Sequence, residues 1–143
     1  PDGSAIWVEY ESRRIGEIFL PEKFHTTLRK SPVVFVKVSD DERRENLVTE
    51  YARQPHEELL EAVKVLSKRL GGLMTKQTLM ALDEKDYGGV VDLLLPYYDK
   101  LYSYGVEKRS ESKIYPIDLS QLSGSERITV LAKMRLQLET GKV

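Results

Sequence analysis

Apolar and polar positions along this chain fall into blocks that switch between a period near two and a period near 3.6, and the switches mark its elements. Ala5-Ile6-Trp7-Val8 is an apolar run that predicts a strand, and it passes directly into Glu9-Tyr10-Glu11-Ser12-Arg13-Arg14-Ile15-Gly16. Ile15 to Leu20 predicts a second short extended piece. Pro21 sits where a helix favours its first residue. Glu22 to Lys30 then reads as a short helix with Phe24 and Leu28 four apart on its inner side. Ser31-Pro32 ends it. Val33-Val34-Phe35-Val36-Lys37-Val38 is the clearest strand, apolar on both faces, which is the pattern of a central strand covered by helices.

Helical periodicity dominates from there. Ser39 and Glu42 form a candidate capping box that opens a helix over Asp40 to Arg53, with Leu47, Val48, Tyr51 and Ala52 on one side. Pro55 breaks the chain. Leu59, Leu60, Val63, Leu66 and Leu70 then stripe a helix from His56 to Leu70, and Gly71-Gly72 ends it. Thr75 is placed to cap a short helix through Leu82, with Leu79 and Met80 inward. Asp86 to Gly105 is a fourth helical stretch whose apolar face carries Val90, Val91, Leu94, Tyr97, Tyr98, Leu101 and Tyr102. Pro96 lies inside it and predicts a kink or a break, because it removes one backbone donor and crowds the carbonyl four residues back. Residues 106–113 are charged and loop-like. Ile114 to Leu119 predicts a last strand, with Pro116 arguing for an edge position. Ser123 to Glu126 is a second candidate capping box, opening a helix over Ser125 to Glu139 with Ile128, Leu131, Met134, Leu136 and Leu138 apolar and Gly141 as its stop.

Two strands, each followed by a capped helix, with a helical stretch between them, predict an α/β architecture that is helix-rich overall. The expectation is one domain over 1–143, in which 1–40 and 113–143 form the sheet and 41–112 is a helical insertion. The length of 143 residues suits a single domain with a real core. Hydrophobic content of 41% with 31% charged residues describes a soluble globular chain. No apolar run approaches the ~18 residues of a membrane span, so no membrane partner is expected. The absence of an initiator methionine points to a piece of a longer chain. With no cysteine in the chain, a disulfide framework, a thiolate metal site and a cysteine nucleophile are excluded within these residues. A net charge of −1 leaves nucleic-acid binding to a local patch or to parts outside these residues.

The candidate chemistry gathers at the end of the first apolar run. Glu9, Glu11 and Ser12 beside Arg13 and Arg14 could hold a metal–phosphate group, with forked guanidinium donors on the anion and the acids orienting them. Glu11 pairing with Arg13 or Arg14 on the surface is the simpler alternative. Arg43 and Arg44 either turn toward a phosphate or lie in solvent beside Asp40, Asp41 and Glu45. Tyr97, Tyr98, Tyr102 and Tyr104 are core residues with their hydroxyls at the rim, or else the wall of an apolar pocket or a base-stacking surface. His25 and His56 have no partners at metal-ligand spacing and read as packing or surface residues. No metal site is expected.

One strand leading into an arginine-bearing helical lid, and a last strand leading into a C-terminal helix, resembles the second half of a P-loop kinase-like domain. The Gly-x-x-x-x-Gly-Lys-Ser/Thr loop is absent from these residues, as it would be in a piece lacking the front of that domain. Ile6-Trp7-Val8-Glu9, Glu11-Ser12-Arg13-Arg14-Ile15-Gly16, Leu20-Pro21, Pro32-Val33-Val34 and Tyr97-Tyr98-Asp99-x-x-Tyr102 together resemble the C-terminal region of the bacterial tRNA 2-selenouridine synthases, in order and as far as Tyr102.

That resemblance implies a cytoplasmic transferase that joins an N-terminal rhodanese-like domain with an essential cysteine to a P-loop domain. Such a protein geranylates the wobble 2-thiouridine of tRNA with geranyl diphosphate and then selenates it with selenophosphate, with Mg²⁺ a candidate helper. It implies that Glu9, Glu11, Ser12, Arg13 and Arg14 line a nucleotide-like or diphosphate site opposite the missing loop; Arg43 and Arg44 are lid arginines by the kinase-like analogy alone. Tyr97, Tyr98, Asp99 and Tyr102 would shape a prenyl or tRNA surface. A piece without the cysteine and the loop is expected to be inactive alone, to bind no cofactor, and to meet tRNA through the full-length protein. A truncated small-molecule kinase or NTPase and a helical protein-interaction module are the competing classes.

Overall fold

The computed structural model describes residues 6–9, 13–15, 17–108 and 112–141. Among the described residues ten elements run in the order β1 (Arg14–Ile15), β2 (Ile18–Phe19), α1 (Glu22–Lys30), β3 (Val33–Lys37), α2 (Asp40–Tyr51), α3 (His56–Leu70), α4 (Gly72–Asp83), α5 (Tyr87–Glu107), β4 (Ile114–Asp118) and α6 (Gly124–Thr140). The result is a helix-rich fold with a small parallel sheet. The chain separates into two compact units, residues 1–37 with 109–143, and residues 38–108.

In the first unit, β3 and β4 pair in parallel, with Val33 opposite Ile114 and Lys37 opposite Asp118. A parallel pair needs a long crossover connection, and the whole helical unit supplies it. The sequence pattern predicted a strand buried on both faces. Instead Val36 is 48% exposed, because among the described residues β3 has β4 as its only strand neighbour. The described part of the opening apolar run, Ile6 to Val8, is not a strand. Residues 6–9 are irregular and exposed, since no described neighbour pairs with them. The extended piece expected over 15–20 is a tight antiparallel hairpin, β1 against β2, with Arg14 opposite Phe19. Helix α6 opens on the expected box, where Glu126 accepts from the Ser123 amide at 2.8 Å, and it closes on Gly141 at φ +63°. Of its apolar residues, Ile128 and Leu136 are exposed.

The second unit is a helical body in which α3 packs on α4, α4 on α5 and α2 on α5. Val63, Leu82, Val90 and Leu94 form its buried core, with Tyr51, Leu59, Leu60, Leu70, Leu79 and Tyr98 packed around them. Ser39 caps α2 by accepting from the Glu42 amide at 3.3 Å. Gly71, at φ +82°, does two jobs. Its N–H closes α3 on the Ser67 carbonyl at 2.9 Å, and it is also the first cap of α4. So α4 begins at Gly72, three residues before the expected cap. Thr75 lies inside its first turn, with its hydroxyl donating to the Gly71 carbonyl at 2.8 Å. This earlier start fits the inward side that is seen. Leu82 and Thr78 are fully buried, whereas Met80 is 52% exposed. Pro96 does not break α5, which runs unbroken across it from Tyr87 to Glu107.

Candidate functional site

The polar residues singled out by the sequence fall into three places. In the N-terminal group, Glu9 and Arg13 are exposed, and Arg14 is an exposed residue of β1. The hairpin fixes Arg14, whose guanidinium lies over the Phe19 ring at 5.4 Å from its centroid. The ladder continues through the Leu20 amide, which donates to the Arg13 carbonyl at 2.9 Å. Glu11 and Ser12 lie outside the described residues.

The second place is the seam between α2 and α5. Arg43 and Arg44 neither lie loose in solvent nor pair with the acids of their own helix alone. Arg43 forks onto Asp99, through a short Nη2 contact to Oδ1 and through Nη1 to Oδ2 at 3.4 Å, and it also lies 3.5 Å from Asp40. Arg44 forks onto Asp92, Nε to Oδ1 at 2.6 Å and Nη2 to Oδ2 at 2.9 Å. Two parallel N–H···O bonds match the planar fork of a guanidinium to a carboxylate. The Arg44 guanidinium also reaches the start of α5, where a side-chain carbon on Gly88 would sit 2.7 Å from its Nη2. The hydrogen bond from Arg44 holds the Asp92 carboxyl below the usual carboxylate range. Asp92 was not picked out by the sequence reading. A signal was available, because Asp92 and Asp99 are seven apart and so share one stripe of α5, facing two adjacent arginines.

That depressed carboxyl has a pH consequence. A group whose value is lowered by folding adds stability above its unfolded value and loses it as pH falls through the folded one. The Arg44–Asp92 pair is therefore expected to stay intact down to about pH 4, the ordinary aspartate value, and to loosen only below it. A carboxyl-detected NMR titration of Asp92 should show a midpoint below that of a model peptide, and Arg44→Ala should raise it. A midpoint at or above the peptide value would contradict the pairing.

The third place is the tyrosine string. Tyr97 and Tyr98 meet edge to face, 5.3 Å between centroids at 70°. Tyr98 packs on the core of the helical unit. The Tyr97 hydroxyl is buried with no hydrogen-bond partner among the described residues. Tyr102 and Tyr104 are about half exposed, and the Lys108 ammonium sits 4.3 Å from the Tyr104 ring centroid. So the string divides: one end is core and the other is surface. Asp99, read from the sequence as part of that string, is the partner of Arg43.

The carboxyl ends of β3 and β4 add residues that the sequence reading left without a role. Asp118 accepts from the Ser120 amide at 2.9 Å, and its carboxyl is held low by its Ser120 hydrogen bonds and by the nearby Lys37 charge. Strand ends of this kind are where open α/β sheets place ligand contacts. Among the described residues no three His, Cys, Asp or Glu side chains are grouped to hold a metal ion, and no helix is long and apolar enough to cross a membrane.

Known proteins give the chain a relationship. A family model described as the tRNA 2-selenouridine synthase AAA domain matches residues 2–68. A tRNA 2-selenouridine synthase of Marinobacter nauticus is 27% identical over 162 aligned positions, covering 93% of this chain and 42% of that protein. One of Pseudomonas savastanoi pv. phaseolicola is 32% identical, covering 72% of this chain and 36% of that protein. One of Shewanella pealeana is 25% identical, covering 82% and 40%. The chain thus spans about two fifths of the length of the curated relatives it matches. No solved structure matches it. The motif strings at both ends of the helical unit and these matches agree: the chain belongs to the tRNA 2-selenouridine synthase family and corresponds to the C-terminal part of its members.

Proposed function

We propose that this chain is the C-terminal part of a P-loop domain in a tRNA 2-selenouridine synthase. In this reading the whole protein geranylates the wobble 2-thiouridine of tRNA with geranyl diphosphate and selenates it with selenophosphate. The observation that carries the reading is the match across 93% of the chain to a protein of that name. The parallel β3–β4 pair, joined through a helical body, supports the P-loop kinase-like reading, with residues 1–40 and 113–143 as the sheet-forming part and 41–112 as the insertion. The remaining parts, an N-terminal rhodanese-like domain with its cysteine and the phosphate loop, lie outside these residues. The piece alone is therefore inactive, and tRNA is met in the cytoplasm by the full-length protein.

Departure of diphosphate from an allylic carbon needs cations to receive the developing charge. Arg13 and Arg14 are exposed and fit that need, with Glu9, Glu11 and Ser12 beside them in sequence. Mg²⁺ takes only one or two carboxylates besides phosphate oxygens, and Glu9 is the exposed described acid of this group. When bound, the ion would share the diphosphate charge. Arg43 and Arg44 act in the lid, where an incoming anion competes with Asp99 and Asp92 for their forks. Tyr97, Tyr98, Asp99 and Tyr102 belong to the wall that receives the prenyl chain or tRNA.

Replacing Arg13 and Arg14 together by alanine in the full-length protein should abolish tRNA selenation, a loss of at least about a hundredfold if both guanidiniums meet the transition-state charge. Nucleoside mass spectrometry of cellular tRNA reads this, with circular dichroism checking that the fold survives. Normal selenouridine in that variant would remove these arginines from the site.

A further inference from the structure

Helices α3 and α4 form a hairpin whose charges are sorted by end. Gly71 alone separates them, and at the far end the His56 imidazole lies 3.8 Å from the Asp83 carboxylate, so the two helices run antiparallel. On α3, Glu57, Glu58 and Glu61 lie in the first half and Lys64, Lys68 and Arg69 in the second. On α4, Lys76 lies near the start and Asp83 is the last residue. The Gly71 end of the hairpin is therefore basic and the His56–Asp83 end acidic.

A groove of about 470 Å³ follows this hairpin. Lys68 and Lys76 border it toward the basic end, Leu79 and Met80 line its middle, and Asp83 borders the acidic end. Lys68 and Lys76 are exposed and hold no ion pair among the described residues, whereas Lys64 is held by Glu61 at 2.7 Å. Met80 is 52% exposed, and Leu73, seven residues earlier on the same stripe of α4, is 73% exposed.

The sorting of charge selects the occupant. A groove whose apolar lining stands this open does not enclose most of a small ligand, as a specific small-molecule site does. A nucleic-acid backbone would gain at Lys68 and Lys76 but be repelled at Asp83, Glu57 and Glu61. A second hairpin of the same kind meets neither objection. Lys76 and Asp83 lie at equal spacing on either side of the Leu79–Met80 pair. A two-fold axis at that midpoint, with the two α4 helices antiparallel, lays Lys76 of each copy against Asp83 of the other and joins the two Leu79–Met80 surfaces. The same rotation carries each basic hairpin end to the acidic end of the other copy.

We infer that the α3–α4 groove is a self-association surface, and that its occupant is the α3–α4 hairpin of a second copy of this chain, in an antiparallel four-helix contact. The inference goes beyond the functional reading above and does not rest on it.

Sedimentation equilibrium of the full-length protein is the test. The parent should sediment as a dimer. Lys76→Glu and Asp83→Lys should each weaken the dimer by at least about tenfold, because each sets two like-charged pairs face to face. An equimolar mixture of the two variants should recover the parent's affinity, as a heterodimer in which both facing pairs are again opposite in sign. Lys76 has no ion-pair partner within the described chain, so its reversal leaves the fold intact, whereas Asp83→Lys also gives up the His56 contact. Should Asp83→Lys fail to fold, Met80→Cys decides. It lies beside the two-fold axis, and under dioxygen it should link two copies through a disulfide that peptide mass spectrometry locates, with about tenfold less of that link when Lys76→Glu is added. A monomer at every concentration would overturn the proposal. So would a dimer indifferent to Lys76→Glu, or a mixture no tighter than its components. Loss of tRNA retention by Lys76→Glu in a protein that stays monomeric would overturn it too and give the groove to RNA.

Discussion

Leu82→Ala is expected to cost the helical unit about 2–5 kcal/mol, the range for emptying a fully enclosed leucine site. Leu82 is fully buried, at the centre of a core that also holds Val63, Val90 and Leu94. A small helical body supplies only about 3–5 kcal/mol of net stability from one such core, so this single change is enough to melt it at room temperature. Urea unfolding followed by circular dichroism at the helix band checks this. Met80→Ala, two residues away and 52% exposed, should stay within about 0.5 kcal/mol of the parent. Equal effects at the two positions would mean that the inward side of α4 has been misplaced.

Pro96→Ala is expected to act in the opposite direction, raising stability by about 1–3 kcal/mol. Pro96 lies inside α5 and is exposed, so its replacement gives up no buried contact. Alanine restores a donor for the Asp92 carbonyl, four residues earlier, and removes a crowded ring. The position has a second meaning. Asp92, Pro96 and Asp99 lie at i, i+4 and i+7, on the stripe whose two carboxylates hold Arg44 and Arg43. If Pro96→Ala destabilises the unit, a proline-imposed bend would be what brings those carboxylates to α2. Thermal unfolding of Pro96→Ala in the parent and in an Asp92→Ala, Asp99→Ala background separates the two outcomes. A bend that serves the clasp loses its effect once the clasp is gone.

The local elements were legible because their causes are local. The Leu59 to Leu70 stripe, the Ser39 and Ser123 caps and the Gly71 and Gly141 stops each act within a turn or two of chain. Helices α1 and α3 therefore begin and end where the pattern puts them. The strand Val33–Lys37 was equally legible as a strand, but its burial was not. An apolar run states that a segment can be covered on both faces, and only the neighbours decide whether it is. The same holds for Ile6-Trp7-Val8, which reads as a strand and stands exposed without one. Motif strings carried the family further than periodicity did, since Glu11-Ser12-Arg13-Arg14-Ile15-Gly16 and Tyr97-Tyr98-Asp99 are specific combinations rather than patterns of polarity.

The arginine partners show where sequence stops. Arg43 and Arg44 were visible as cations beside Asp40, Asp41 and Glu45, yet their carboxylates are Asp99 and Asp92, 56 and 48 residues onward. Nothing within a turn of either arginine records which distant helix will pack there. By itself, then, the sequence determined most of the helices, the Ser39 and Ser123 caps and the family, but not the start of α4. The tertiary structure decided which faces are core and which acids hold which arginines. Periodicity and capping are set by each segment's own backbone, whereas partners are chosen by how whole segments pack, and that choice is made across the chain.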